Sequence, residues 1–436
     1  MKLLRKADNL AEAYALQGRP HRAETLTDAY NNLDPNTPLP GKDHPFYVQR
    51  PEPFGIELLL DALRATRSRS EKMLFSGHRG SGKSTELARL AQKLADRYLV
   101  THFSVENLLD LGDLDYQDIL VTMGGQVYET ARRTGLRLDA DLLHNLVLWY
   151  KTTFFEQDEI RQVKGEIEAE VQAFVVKLGT KIGTESPKRQ YVRAQAEKHL
   201  SDLLTQLDAL VDDVCRKSGR RVLVLVDGLD KIYNTDLALK MFLSSAGALT
   251  APRCLIVYTV PIILFYASEL GQVRMGFRGQ FQLPNVSPFN PDGSRRDEGW
   301  HMLDAILQAR VADRLLPRPA RETLIEVSGG VLKHFISLAG DAALLARRRP
   351  GGEQETVTPE DVARVAVRMR TAARPTFTAA QRAELRLVAS GHTFTNSPEA
   401  RDLAMNLHIL QYLNLNGEEW WDVHPVLRPL LEEPDG

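Results

Sequence analysis

The sequence predicts an α/β protein built on a parallel sheet, with helices on both faces and a phosphate-binding loop at one edge. Three observations predict it. Short, almost wholly apolar runs at residues 222–226 and 254–260 alternate with long helical stretches, the pattern of strands buried on both sides. Residues 77–84 read GHRGSGKS, a glycine-rich turn set between an apolar strand and an amphipathic helix. The strand at 222–226 ends on an acid, Asp227, where a parallel sheet presents its carboxyl edge.

The chain has 436 residues, enough for about two to four domains. With 43% hydrophobic and 26% charged residues it has the composition of a globular protein. A net charge of −2 gives no global attraction to nucleic acid or to an anionic membrane surface. The two cysteines, Cys215 and Cys254, lie in apolar stretches and read as buried thiols of a reducing compartment. The longest apolar run, residues 254–267, is too short to span a bilayer and is broken by Pro261. No apolar segment near the start is long enough for a signal peptide, so the expectation is a cytoplasmic protein with no membrane partner.

Residues 1–45 predict one helical hairpin of tetratricopeptide spacing, read as a packing appendage, and a proline-rich linker from Asn36 to Pro45. The nucleotide-binding core is expected over 46–290. It begins with an extended segment and an amphipathic helix to Arg64, followed by a strand at 73–77, the loop and its helix, and a second strand at 98–107. A long helical insert fills about 113–219, with a polar linker expected at 177–189. Its last helix carries Leu200, Leu203, Leu204, Leu207, Leu210, Val211 and Val214 on one stripe, a packing face. Further strands follow at 222–226, 254–260 and 280–286. Residues 291–371 predict a small helical lid. Residues 372–436 predict short helices and a hairpin turning at Asn416-Gly417, which resembles a winged-helix domain.

The loop carries the chemistry. Gly77, Gly80 and Gly82 let backbone N–H groups converge on phosphates, together with Ser81 and the helix N-terminus. Lys83 reaches the terminal phosphates, Ser84 is the magnesium ligand and Thr85 follows it into the helix. Asp227 is the second magnesium residue, acting through water. Asp230 has two readings, orienting the attacking water or capping the following turn. His78 and Arg79 fill variable loop positions. No guanine-specifying Asn-Lys-x-Asp motif occurs, which favours ATP.

A phosphate loop and an acidic strand in one chain resemble the ASCE division of P-loop NTPases, in which a further strand lies between the two. The run DGLDK at 227–231 is similar to the STAND class of signalling ATPases, NACHT members in particular, and to AAA+ and KAP-like bacterial ATP-binding proteins. The resemblance covers roughly 46–431 and departs from NACHT at Lys231, where a second acid is expected. It implies slow, magnesium-dependent ATP hydrolysis and a switch between ADP-bound and ATP-bound forms that controls self-association or engagement of a separate sensor or effector. In bacteria it implies roles in signalling and anti-phage defence. It places Tyr47, Val48 and Arg50 on the adenine side, Lys333 as the lid cation, and Thr259 at the position of a strand-end sensor, which also reads as an interior strand-end threonine. Arg274 and Arg278 stand where a finger reaches a neighbouring subunit, or are solvated turn arginines. The alternative is a DNA-associated AAA+ loader whose winged helix binds duplex. For it, Arg347, Arg348, Arg349, Arg364, Arg368, Arg370 and Arg374 form a basic junction, which also reads as a solvated helix face.

Overall fold

The computed structural model describes residues 20–39, 44–50, 56–160, 165–183, 187–267, 271, 276–373, 377–414 and 416–432. Five parallel strands form the central sheet: β1 (Lys72–Ser76), β2 (Tyr98–Ser104), β3 (Arg221–Asp227), β4 (Leu255–Val260) and β5 (Gly279–Gln282). Their order is β2-β3-β4-β1-β5, so β4 lies between the loop-bearing β1 and the acidic β3. The period-two alternation of side chains splits each strand between two cores. Leu74, Val224, Val226 and Ile256 enter one core, and Met73, Phe75, Leu223, Leu225 and Val257 enter the other. Helices Ile56–Ala65 and Lys83–Lys93 cover the second face, and the helical insert covers the first. This is why the strands read as continuous apolar runs.

The last strand is shorter than the predicted 280–286. Leu283 N–H still donates to Ser76 O at 2.8 Å, and then Pro284, which has no N–H, ends the ladder.

The insert runs through helices Tyr116–Arg133, Ala140–Phe154, Ile167–Ile182, Pro187–Lys198 and Leu200–Ser218. The predicted stripe is buried at Leu203, Leu207, Leu210, Val211 and Val214, with Leu200 and Leu204 at its margin. The polar linker expected at 177–189 is largely helical instead. Leu178 and Ile182 are buried, and Lys181 Nζ, 2.7 Å from Glu159, ties this turn to the preceding segment, so packing overrides the turn-forming composition. Arg189, also expected in that linker, is buried and meets Asp118 at 3.3 Å.

Beyond the sheet, helices Asp297–Arg310, Arg318–Ser328, Leu332–Arg347 and Pro359–Ala373 pack around Leu303, Leu324, Phe335 and Val362. Helix Leu26–Asn32 lies against Leu332–Arg347, with Leu26 and Ala29 in the same core. The other half of the predicted N-terminal hairpin lies outside the described residues. The chain ends with helices Ala379–Gly391 and Pro398–Met405 and an antiparallel pair, β6 (Ile409–Leu413) and β7 (Glu419–Val423). Gly417 takes φ +81° in the predicted turn. This end is cemented to the sheet layer: Trp421 and Leu403 share a core with Ile262 and Ile263 from the segment after β4.

Candidate nucleotide site

β1 delivers the loop to the carboxyl edge of the sheet, and the loop becomes helix at Lys83, behind Gly82 in the left-handed region. Gly80 is required for two reasons. Its φ is +77°, and a Cβ there would stand 2.5 Å from Cβ of Lys333. The helix Leu332–Arg347 therefore sets its first turn directly on the loop, where Lys333 N–H donates to Gly80 O at 3.0 Å. The Lys333 side chain is exposed beside it.

Lys83 Nζ donates to the carbonyls of Gly77 and His78, each at 2.7 Å, and lies 2.9 Å from Asp230 Oδ2. Both partners of this ion pair are buried, so the lysine is fully neutralised inside the loop. Of its two readings Asp230 does not take the capping one: Gly228 is the N-cap of the turn Leu229–Lys231, and the Asp230 carboxylate meets the lysine. Asp227 hydrogen-bonds the Ser84 hydroxyl and accepts from Gly228 N–H at 2.7 Å. Burial, and then the charge of Asp230, push the Asp227 carboxyl above its ordinary range, with His102, Ser84 and Gly228 pulling the other way. Ser81 Oγ is buried in the loop with no hydrogen-bond partner. A loop with these glycines at the end of β1, the acid at the end of β3 and a strand between them settle the architecture. This is a P-loop NTPase fold.

Residues on the predicted adenine side strap across the first turns of the loop helix. Leu39 N–H donates to Thr85 Oγ1 at 3.1 Å, and Tyr47 OH donates to Glu86 at 3.2 Å. Val48 packs into the lid core. Arg50 donates to Pro284 O at 2.9 Å and to Ser81 O, bridging the loop and the segment just past β5 through carbonyls alone among the described residues. The structure thus gathers Gly77, Gly80, Ser81, Gly82, Lys83, Ser84, Thr85, Tyr47, Arg50, Lys333, Asp227 and Asp230 at the loop and its helix, and leaves Val48 in the lid core.

Other predicted residues fall elsewhere. Thr259 Oγ1 accepts from Leu229 N–H at 3.1 Å and donates to Val226 O at 3.3 Å, so it stitches β3 to β4. Arg278 lies at the opposite, amino-terminal end of the sheet. There its N–H donates to Lys72 O at 3.0 Å, and its side chain, 70% exposed, pairs with Glu71. It cannot serve the loop of its own chain. Arg274 lies outside the described residues. In the basic junction, Arg347 pairs with Glu353, Arg349 with Glu355 and Asp361, and Arg370 donates to Val426 O. Arg364 and Arg368 are exposed on one face of helix Pro359–Ala373, while Arg374 lies outside the described residues.

Three participants escaped the sequence. His102 Nε2, on β2, lies 4.0 Å from Asp227 Oδ2, which follows from β2 pairing with β3. His78 is 1% exposed: its Nε2 accepts from the N–H of Gln411 on β6 at 2.8 Å, and its ring meets Trp421 edge-on at 5.6 Å. Burial, then Lys83, lower its pKa to about 3, which keeps the ring neutral and the proton on Nδ1. Gln411 is the hub of this contact. Its side chain accepts from Gln282 Nε2 at 2.6 Å and donates to Tyr266 OH at 2.5 Å and Glu419 Oε2 at 2.8 Å. No signal in the sequence could join positions 78 and 411.

No protein-family model matches the chain, and no curated protein does. Solved structures resemble it over most of its length. A Cdc6p from Pyrobaculum aerophilum is 12% identical, over 89% of this chain and 96% of that one, at TM-score 0.38. The Aeropyrum pernix ORC2 protein, solved as ADPNP-ADP complexes, is 13% identical over 90% and 96%, at TM-score 0.42. A Walker-type ATPase of Pyrococcus abyssi is 14% identical over 89% and 100%, at TM-score 0.42. The fold assignment rests on the strand order and the loop. Among the described residues no helix is long and apolar enough to cross a membrane.

Proposed function

We propose that this chain is an ATP-dependent switch: it binds ATP or ADP with Mg²⁺, hydrolyses ATP slowly, and exchanges a closed form for one that self-associates or engages another protein. One observation carries the reading. The C-terminal hairpin, which we read as the wing of a winged-helix domain, bonds directly to the phosphate loop through Gln411 and His78. The loop that senses phosphate is thereby the surface on which the last domain docks.

The residues present fit the nucleotide. Gly80 admits no side chain beside Lys333, which keeps the loop bare at that point, and the buried hydroxyl of Ser81 has no partner. Ser84 and Asp227, already hydrogen-bonded, are the pair that would hold Mg²⁺, which needs only one or two protein oxygens beside phosphates and water. Incoming phosphate oxygens would replace the Asp230 carboxylate at Lys83. One anion is exchanged for another, so Lys83 is never left unpaired in a dry site. Asp230, once released, is free to orient water near the terminal phosphate. The bound Mg²⁺ supplies charge neutralisation on the phosphates. The lid turn at Lys333 and the strap at Arg50 close over the same loop.

Molecular mass in solution, measured with ADP and with a non-hydrolysable ATP analogue, tests the reading. A larger species with the analogue is expected, and its loss in Lys83→Ala. The same mass in both nucleotides, or nucleotide binding undiminished by Lys83→Ala, would overturn it.

A further inference from the structure

We propose that Arg79 is a guanidinium supplied in cis to the terminal phosphate of ATP, parked on the ring of Tyr233 until that phosphate draws it away. The proposal rests on the nucleotide reading above and names the residue that tells ATP from ADP. Arg79 stands between two covered neighbours. His78 is buried under the C-terminal hairpin, and Gly80 lies under the first turn of the lid helix. Arg79 is half-buried between them, with its guanidinium 4.2 Å from the Tyr233 ring centroid. Tyr233 is 64% exposed and sits three residues beyond Asp230. The arginine thus straddles the gap from the phosphate loop to the turn whose Asp230 holds Lys83.

Charge marks this contact as provisional. Lys83 is neutralised by Asp230, and Lys231, on the same turn, by Glu106 at 2.5 Å. Among the described residues Arg79 makes no ion pair and no hydrogen bond; the aromatic face is its only recorded partner. A guanidinium on an exposed ring is held far less strongly than one on phosphate oxygens, where a charge-assisted, two-pronged bond forms. A nucleotide anchored at Lys83 and Ser84 would direct its terminal phosphate into the gap that Arg79 spans. ADP has no group there, so the interaction differs between the two nucleotides, which is what a switch requires.

The test is affinity for a non-hydrolysable ATP analogue and for ADP, with Mg²⁺, in the full chain, together with ATP turnover. Arg79→Ala should weaken the analogue about tenfold while changing ADP by less than about twofold, and should slow turnover. Arg79→Lys, which keeps the charge without the fork, should recover part of the preference. Tyr233→Ala, which removes the parking place, should leave the analogue bound as tightly as in wild type or more tightly. A wild-type ratio of the two affinities in Arg79→Ala would overturn the proposal, as would an equal loss for both nucleotides, which marks a distorted loop. Wild-type protein that binds neither nucleotide would overturn the underlying reading instead, so the two failures are distinguishable.

Discussion

Replacing Gln411 by leucine should release the C-terminal hairpin from the phosphate loop. The glutamine is 1% exposed, and its side chain makes three hydrogen bonds, to Gln282, Tyr266 and Glu419. Glu419 belongs to the same hairpin, so two of these bonds, to Gln282 and Tyr266, hold it to the sheet layer; at about 1 kcal/mol each, the substitution removes ~2 kcal/mol of docking. Leucine of similar volume packs against the neighbouring rings and returns about 1 kcal/mol, and Tyr266 OH keeps its own bond to Glu419 at 2.6 Å. A net loss of ~1 kcal/mol raises the undocked population roughly fivefold. Hydrogen exchange of the β6 and β7 amides measures that population, and release of a fluorescent ADP measures its consequence at the loop. Both should quicken in Gln411→Leu. If the hairpin amides exchange at the wild-type rate and ADP leaves no faster, this hub does not hold the closed form, and the coupling between hairpin and loop is wrong.

Four further outcomes are expected. Asp230→Asn should spare nucleotide binding and slow turnover, because the carboxylate competes with phosphate at Lys83 and then serves the water; normal turnover in a steady-state assay would remove that role. Arg278→Ala should abolish ATP-dependent association while leaving ATP affinity intact, since the side chain lies at the far end of its own sheet; unchanged mass with the ATP analogue would dismiss it as a finger. Arg364→Glu with Arg368→Glu should leave duplex DNA binding, measured against salt, as weak as in wild type; a steep salt slope in wild type that these changes flatten would favour the loader reading. Lowering pH from 7 toward 4 should loosen the hairpin. His78 (pKa about 3, facing Lys83), His334 (about 4, facing Lys333 and His408), His408 (about 4, facing Asp402) and His424 (facing His334 and His408) are all held neutral by burial. Their folded pKa values lie below the ordinary 6.5, so the unfolded or undocked state binds the extra protons and stability falls with pH below that value. Hairpin exchange that is independent of pH across this window would contradict the assignment.

The sheet was legible because burial on both faces leaves its mark residue by residue. The runs at 222–226 and 254–260 cannot form amphipathic helices, and their placement between helices dictates parallel strands. Where the reading slipped, a single backbone or packing fact decided. Pro284 cut the last strand short, and Leu178 with Ile182 drew a glycine- and threonine-rich stretch into a buried helix. The loop and its acid were legible for a different reason: phosphate chemistry requires particular residue types at fixed spacing, so Gly77 to Ser84 carry their own geometry.

What the sequence could not disclose is which surface each loop residue meets. His78 and Arg79 are adjacent and both stand at variable positions, yet one is buried against β6 and the other is spread on an exposed tyrosine. Local pattern is identical for the two; the difference arises only when residues 233 and 411 arrive from distant parts of the chain. The same holds for the ionic partners. Lys83 belongs to the loop by spacing, but its closure by Asp230 depends on β4 lying between their strands, which brings two carboxyl edges level without placing them side by side. A switch needs such contacts, because only an interaction made differently in two states can shift one toward the other. Residues that merely hold phosphate can be fixed by local geometry. Those that report it to another domain must lie where two distant segments meet, and in the switch proposed above that place is the short arc from His78 to Gly80, covered on one side by the C-terminal hairpin and on the other by the lid helix.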